Sequence, residues 1–311
     1  MRASLLIHPE ELSRAWIDRM AEAGIAVLGL HPKGGRLAAL YLAEMLEMMK
    51  TPEFRALIDY AHERGLEIEY ELHAASYLLP RELFSEKPEF FRMNEQGERT
   101  KSLNFCFTNP ETLAIVAENA AALAEELYGS NDNFYFWLDD CRGSACCCEN
   151  CRAYTASEQQ MLAVGAMAGA VRKRIPAARF AYLAYADSMA PPEKVKPAEG
   201  VFLEYAPMEK YKAGSALLAE EEEKMLPALL EFFGAEGAKV LEYWYDNSMF
   251  SGWEKPPKKF APDTAQMVRD IAFYREKGFE YISTFACFLG DDYEKLYGEA
   301  DIAPFAECVR S

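Results

Sequence analysis

Five of the eight cysteines fall in one short stretch, as Cys141, Cys146, Cys147, Cys148 and Cys151, and three of these spell C-x-C-x-x-C. Cys106 lies upstream, in the run Leu103-Asn104-Phe105-Cys106. Three close thiolates and one distant one make up a tetrahedral four-cysteine zinc site, here Cys106, Cys146, Cys148 and Cys151. Such a site is structural, because four thiolates leave no coordination position for water or substrate. Cys141 and Cys147 are spare thiols that would exchange with the named ligands if the register shifted by one. In a reducing compartment the cluster favours a metal; in an exported protein disulfides are the alternative.

A second set of residues could do chemistry. Just before the cysteine cluster, an aromatic run from Phe134 ends in Asp139-Asp140. Three other apolar runs finish in His8, His31 and His73, a fourth holds Glu204, and a fifth reads Glu242-Tyr243-Trp244-Tyr245-Asp246. Asp139 and Asp140 point to opposite sides of a strand, so only one faces a given site; the other caps a helix or orients a loop. Two carboxylates flanking a glycosidic bond are what its hydrolysis needs: one protonates the leaving oxygen, the other attacks the anomeric carbon or activates water. Asp140 is the expected acid/base and Glu242 the second carboxylate, with Asp246 in reserve and Asp139 as the alternative to Asp140. His8, His31, His73, Glu204, Tyr243 and Trp244 are expected to line the substrate, since aromatic faces beside carboxylates grip sugar rings.

Positioning these groups requires a repeating scaffold. Strand-like runs at 4–8, 26–31, 67–73, 134–140, 179–185, 201–206, 239–246 and 281–288 alternate with helical patterns at 11–23, 52–64, 111–128, 157–175, 216–233 and 263–277. Eight such alternations without a break in composition predict one (β/α)8 TIM barrel domain over 1–311, and in that fold the chemistry sits at the C-terminal strand ends. The proline-rich link between the fifth and sixth strands predicts a degenerate helix. The excursion 74–109 is expected to form a lid or substrate loop. An open doubly wound sheet lacks its glycine-rich nucleotide turn, since Lys33-Gly34-Gly35 is too weak a signal.

The net charge of −17 and the lack of a basic stripe exclude nucleic acid as a partner. The run Glu220–Glu223 is expected on an exposed helix face. No stretch reaches the roughly 18 to 20 apolar residues of a membrane span, so no membrane partner is expected. The start Met1-Arg2-Ala3-Ser4 does not read as a secretory signal, which makes a cytoplasmic location the expectation. The expected partner is a carbohydrate, with a homo-oligomer left open.

The zinc motif resembles that of the glycoside hydrolase family 42 β-galactosidases. There, a strand-four acid precedes C-x-C-x-x-C and a fourth cysteine comes from the preceding β/α region. Asp140, Cys146, Cys148, Cys151 and Cys106 occupy the matching places, with aspartate where that family has glutamate. A broader resemblance, over 87–289, is to the bacterial family named domain of unknown function 4838, grouped with α-glucuronidase-like and hexosaminidase-like barrels. It rests on Lys87-Pro88-Glu89-Phe90-Phe91, on Cys106 and Asn109-Pro110-Glu111, on Asp139-Asp140 through Cys151, and on Ala206-Pro207-Met208-Glu209-Lys210, with lysine replacing arginine. These resemblances imply a glycoside hydrolase barrel acting on an oligosaccharide or glycoside, uronic-acid-containing ones included. Two alternatives stay open. One is a metal-dependent sugar isomerase or hydrolase using His8, His31 or His73 with Glu204 and Asp246. The other is a carbohydrate-binding barrel without catalysis.

Overall fold

Each of the eight apolar runs becomes a strand in the computed structural model, which describes residues 1–212 and 214–310. The strands are β1 (Arg2–Ile7), β2 (Val27–Leu30), β3 (Glu67–His73), β4 (Asn133–Trp137), β5 (Arg179–Ala184), β6 (Val201–Tyr205), β7 (Lys239–Glu242) and β8 (Tyr281–Phe285). All pair in parallel in sequence order, and β1 pairs with β8 to close the barrel. The chain is therefore a (β/α)8 TIM barrel. Several strands stop short of the expected ends: β4 ends before Asp139, β7 at Glu242 and β8 at Phe285. Their polar and aromatic ends leave the sheet to build the loops of the C-terminal face.

The outer layer holds α1 (Arg14–Ala23), α2 (Ala38–Met49), α3 (Pro52–Glu63), α4 (Ala75–Leu78), α5 (Pro110–Glu126), α6 (Ala156–Arg174), α7 (Ala216–Phe233), α8 (Asn247–Phe250), α9 (Thr264–Glu276), α10 (Asp291–Tyr297) and α11 (Ala303–Arg310). Their starts follow from capping chemistry. Ser13, Thr51 and Asn109 accept hydrogen bonds from backbone amides three residues on, and Thr155 and Glu158 form a reciprocal capping box. The helix α2 was not in the sequence pattern. Its apolar residues run nearly all round, from exposed Leu40 to buried Leu42 and Met45, which blurs the helical period. Between β5 and β6 a single 3₁₀ turn, Ala186–Ser188, stands where a degenerate helix was expected. Within the acidic run on α7, Glu220, Glu221 and Glu223 are exposed, but Glu222 is buried and accepts the amide of Glu209 at 3.0 Å.

The core has two parts. One fills the space between strands and helices; the other fills the barrel itself, with Leu6, Tyr135, Trp137, Leu183, Phe202, Leu241 and Phe285. Close packing there requires Gly29 on β2, because a Cβ at that position would lie 2.8 Å from the Leu6 side chain. Deeper in the barrel is a buried ionic cluster. Lys239 lies 3.5 Å from Glu69 and 3.2 Å from Glu204, also bonds Glu71, and sits 4.0 Å above the Tyr135 ring. Burial, opposed by Lys239 and reinforced by Glu204 and Glu69, raises the Glu71 carboxyl well above its ordinary range.

Candidate active site

The cysteines assemble as a closed cluster. Cys106, Cys146, Cys148 and Cys151 are buried, carry no disulfide, and present sulfurs all within 4.8 Å of one another. Cys106 Sγ lies 3.7 Å from Cys148 Sγ and 3.8 Å from Cys151 Sγ. Tetrahedral coordination with metal–sulfur bonds of about 2.3 Å sets neighbouring sulfurs about 3.8 Å apart, so the spacing suits a four-thiolate metal site. The amide of Met93 donates to Cys146 Sγ at 3.3 Å, and the Arg99 guanidinium lies 3.8 Å from it, both placed to offset thiolate charge. The cluster ties the loop after β3 to the loop after β4, and the Cys147 amide adds a bond to Met93 O at 2.8 Å.

The strand ends open into a cavity of about 540 Å³ lined by His8, His31, His73, Trp137, Asp140, Tyr185, Tyr243 and Asp246, with Lys33, Gly34, Met208, Trp253 and Lys255 around it. The three histidines are fixed alike. Nδ1 of His8 bonds His31 O at 2.8 Å, Nδ1 of His31 bonds Glu71 O at 2.7 Å, and Nδ1 of His73 bonds Leu138 O at 2.6 Å. A carbonyl oxygen only accepts, so each Nδ1 carries a proton, and in the neutral ring Nε2 is left as an acceptor. Each histidine thereby clasps the end of the next strand. Burial lowers the basicity of His8, and burial plus the two neighbouring imidazoles lowers that of His31 further. The rings pack as a floor: His31 lies 5.5 Å from Trp137 and 5.1 Å from Phe285, and His73 lies 5.1 Å from Trp137.

Asp140 and Asp246 reach this cavity from different loops. Asp140 accepts a hydrogen bond from Tyr185 OH at 3.1 Å. It lies beside His73 at Gly34, where an added Cβ would be 3.3 Å from Asp140 Oδ2 and 3.4 Å from His73 Nε2. Glycine at 34 thus keeps this corner open. Asp246 caps α8 and accepts from Ser248 Oγ at 2.5 Å and Met249 N at 3.1 Å; burial, working against these bonds, raises its carboxyl above the ordinary range. Tyr243 stacks on Phe285 at 5.2 Å, and its hydroxyl is held in protonated form by burial and by the nearby carboxylates of Asp140 and Asp246.

Four of the sequence-predicted residues lie elsewhere. Along β7 and its extension, Lys239, Leu241 and Tyr243 face the barrel, so Glu242 and Trp244 face the helices by the two-residue period. Glu242 is fully buried there, bonding Lys210 Nζ at 2.5 Å, Tyr211 OH at 2.5 Å and Tyr274 OH. Trp244 Nε1 donates to Asp270 at 3.0 Å. Glu204 lies inside the barrel, bonded to Trp137 Nε1 at 2.8 Å and to Lys239. Asp139 holds Asn104 and Ser76. The expected catalytic-metal set of histidines with Glu204 and Asp246 therefore does not assemble. A different trio, His8, Glu11 and Cys287, has ligand atoms within 4.8 Å, with the Glu11 carboxylate held by the amides of His8 and Gly290.

Tyr185 was missed, although it closes the fifth strand-like run and so carried the same signal as the histidines. The motif Met208-Glu209-Lys210 also gains a role. Met208 Sδ meets Tyr185 OH at 3.2 Å, Glu209 pairs with Arg142 at 2.6 Å, and Lys210 bridges Glu242 to Asp270.

Residues 41–285 match the model of the family described as Domain of unknown function (DUF4838). No curated protein sequence matches the chain. Several solved structures are similar. A chain of the pneumococcal exo-β-D-N-acetylglucosaminidase StrH, which has tandem GH20 catalytic modules, aligns over 99% of this chain and 83% of its own, at 11% identity and a TM-score of 0.53. The β-galactosidase of Rahnella sp. R3 aligns over 100% of this chain and 55% of its own, at 12% identity and a TM-score of 0.55. An α-amylase from Lactobacillus plantarum aligns over 99% of this chain and 79% of its own, at 12% identity and a TM-score of 0.54. At such identities the likeness is one of fold.

Proposed function

Because the chain belongs to the DUF4838 family and places two carboxylates on the wall of one cavity, we propose that it is a glycoside hydrolase, with Asp140 and Asp246 as the working pair. The observation that carries this reading is the placement of Asp140 and Asp246 on one cavity beside Tyr243, over a floor of aromatic rings and imidazoles. Asp246, the more buried of the two, suits the acid that protonates the leaving oxygen. Asp140 suits the group that attacks or activates water, with Tyr185 orienting it. This exchanges the role first expected of Asp140 and replaces Glu242, whose carboxylate belongs to the helix layer. The fold of the similar glycosidases supports the reaction class.

The substrate is an oligosaccharide or glycoside. Nε2 of His8, His31 and His73 would accept its hydroxyl protons, and uronic-acid units stay within range because Lys33 and Lys255 also border the cavity. The four thiolates would hold a structural zinc that fixes the two loops beside Asp140. A test is release of 4-nitrophenol and of reducing sugar from a panel of aryl glycosides, disaccharides and uronides. Turnover that falls at least 100-fold in both Asp140→Asn and Asp246→Asn supports the reading. Sugar binding without turnover of any substrate would favour a non-catalytic carbohydrate-binding barrel.

A further inference from the structure

We propose that the indole face of Trp253 forms a second sugar subsite at the cavity mouth, so that the ligand extends at least one ring beyond the unit over the histidines. This rests on the reading of the cavity as a carbohydrate site and narrows it to oligosaccharides, or to glycosides with a ring-shaped aglycone. Of the four tryptophans, Trp16, Trp137 and Trp244 are 0%, 3% and 4% exposed, whereas Trp253 is 66% exposed and yet borders the cavity. No aromatic ring or cation packs on its face among the described residues. An indole face left in water at the rim of a cavity that also carries carboxylates and imidazoles suits a ligand contact rather than a core.

The backbone supports the same conclusion. Trp253 is left-handed, at φ +58°, a conformation that strains a bulky residue and persists where the surroundings impose it. Its amide donates to Ser248 O at 2.7 Å, and Ser248 Oγ donates to Asp246 at 2.5 Å. The platform is therefore anchored to the carboxylate that would protonate the leaving oxygen, and a ring stacked on it would be the leaving unit. A sugar ring suits it because its C–H face is weakly positive and the indole face negative. The volume of about 540 Å³ is in the range of multi-ring ligands.

The test compares matched pairs of ligands: glucose with cellotetraose, galactose with galactotetraose, mannose with mannotetraose, xylose with xylotetraose, and galacturonate with its tetramer. Binding is read by calorimetry and by tryptophan emission, in which Trp253 supplies the solvent-exposed component. At least one tetramer should bind 10-fold or more tighter than its monomer and shift that emission to the blue. Trp253→Ala should abolish most of the tetramer's advantage and the shift, and Trp253→Phe should restore part of the affinity. Equal affinity of wild type and Trp253→Ala for every sugar that binds would overturn the subsite alone. Failure of all ten sugars to bind would overturn the carbohydrate reading and the subsite with it. A Trp253→Ala protein that changes from dimer to monomer in sedimentation, with sugar affinity intact, would assign the indole to a self-interface instead.

Discussion

Asp139 and Asn104 hold each other through their backbones: the amide of Asp139 donates to Asn104 Oδ1 at 2.9 Å, and the amide of Asn104 donates to Asp139 Oδ2. Both are buried, and the same carboxylate takes the amide of Ser76 at 3.2 Å and its hydroxyl. Asn104 adds a bond to Ser144 O at 3.1 Å. The clasp joins the loop that carries Cys106 to the residue before Asp140, so the four-cysteine cluster and Asp140 share one support.

That arrangement gives adjacent aspartates opposite mutational signatures. Asp139→Asn turns one accepting oxygen into an amide facing buried donors and should cost about 2–3 kcal/mol in urea unfolding. Asp140→Asn, at the half-buried cavity wall, should stay within about 0.5 kcal/mol of wild type. A stable Asp139→Asn protein would remove the clasp from the argument.

Metal content follows from the sulfur spacing. Elemental analysis of protein purified without chelator should find about one zinc per chain, because the four thiolates form a closed tetrahedral set. Cys148→Ser should lose it and unfold at lower temperature, since binding free energy at such sites is folding free energy. The loops after β3 and β4 should be the first to gain hydrogen exchange. Full metal occupancy in the serine variant would refute the ligand assignment.

Stability should depend on pH through Glu11. Burial raises its carboxyl from the ordinary 4.5 to about 7, against the hydrogen bonds from Phe288, His8 and Gly290. An acid whose folded value is raised favours the folded state in its protonated form. Its contribution is complete below about 4.5 and is lost as pH climbs through about 7, on the order of 3 kcal/mol in all. Glu11→Gln cannot titrate, so its unfolding free energy should decline less between pH 5 and 8 than that of wild type. Parallel curves for the two proteins would contradict this.

The scaffold was legible because its signal is repeated: each strand is a short apolar run, and each helix is a stripe with a cap. The strand-end histidines were legible for the same reason, since a polar residue ending an apolar run must sit at the barrel rim. Glu242 is hard to place from sequence because the run 239–246 looks like one long strand, in which Glu242 and Tyr243 point to opposite sides just as Asp139 and Asp140 do. Lys239 at the start of that run marks the inward face, and counting by two from it reaches Tyr243 and passes over Glu242. Gly34 and Trp253 were illegible for another reason. Gly34 sits where packing against the distant Asp140 and His73 sets the space, and Trp253 sits on a loop whose tight path is closed by its amide on Ser248 O.

The catalytic assignment makes a prediction with three arms. If Asp246 protonates the leaving oxygen, Asp246→Asn should slow hydrolysis of a disaccharide, whose leaving alcohol needs the proton, at least 100-fold more than that of a dinitrophenyl glycoside, whose leaving group does not. Asp140→Asn should slow both alike, because the attack itself is lost. Glu242→Gln should act differently again. Its carboxylate bonds Lys210, Tyr211 and Tyr274 in the buried helix layer, so the change should lower stability by about 3 kcal/mol while shifting the two substrates by the same small factor. The pH profile of wild type should be bell-shaped, with the alkaline limb set by the buried Asp246, whose carboxyl burial raises, and that limb should vanish in Asp246→Asn. A leaving-group dependence that appears in Asp140→Asn instead would return the acid to Asp140. A dependence that appears in Glu242→Gln would place the chemistry on the other side of β7.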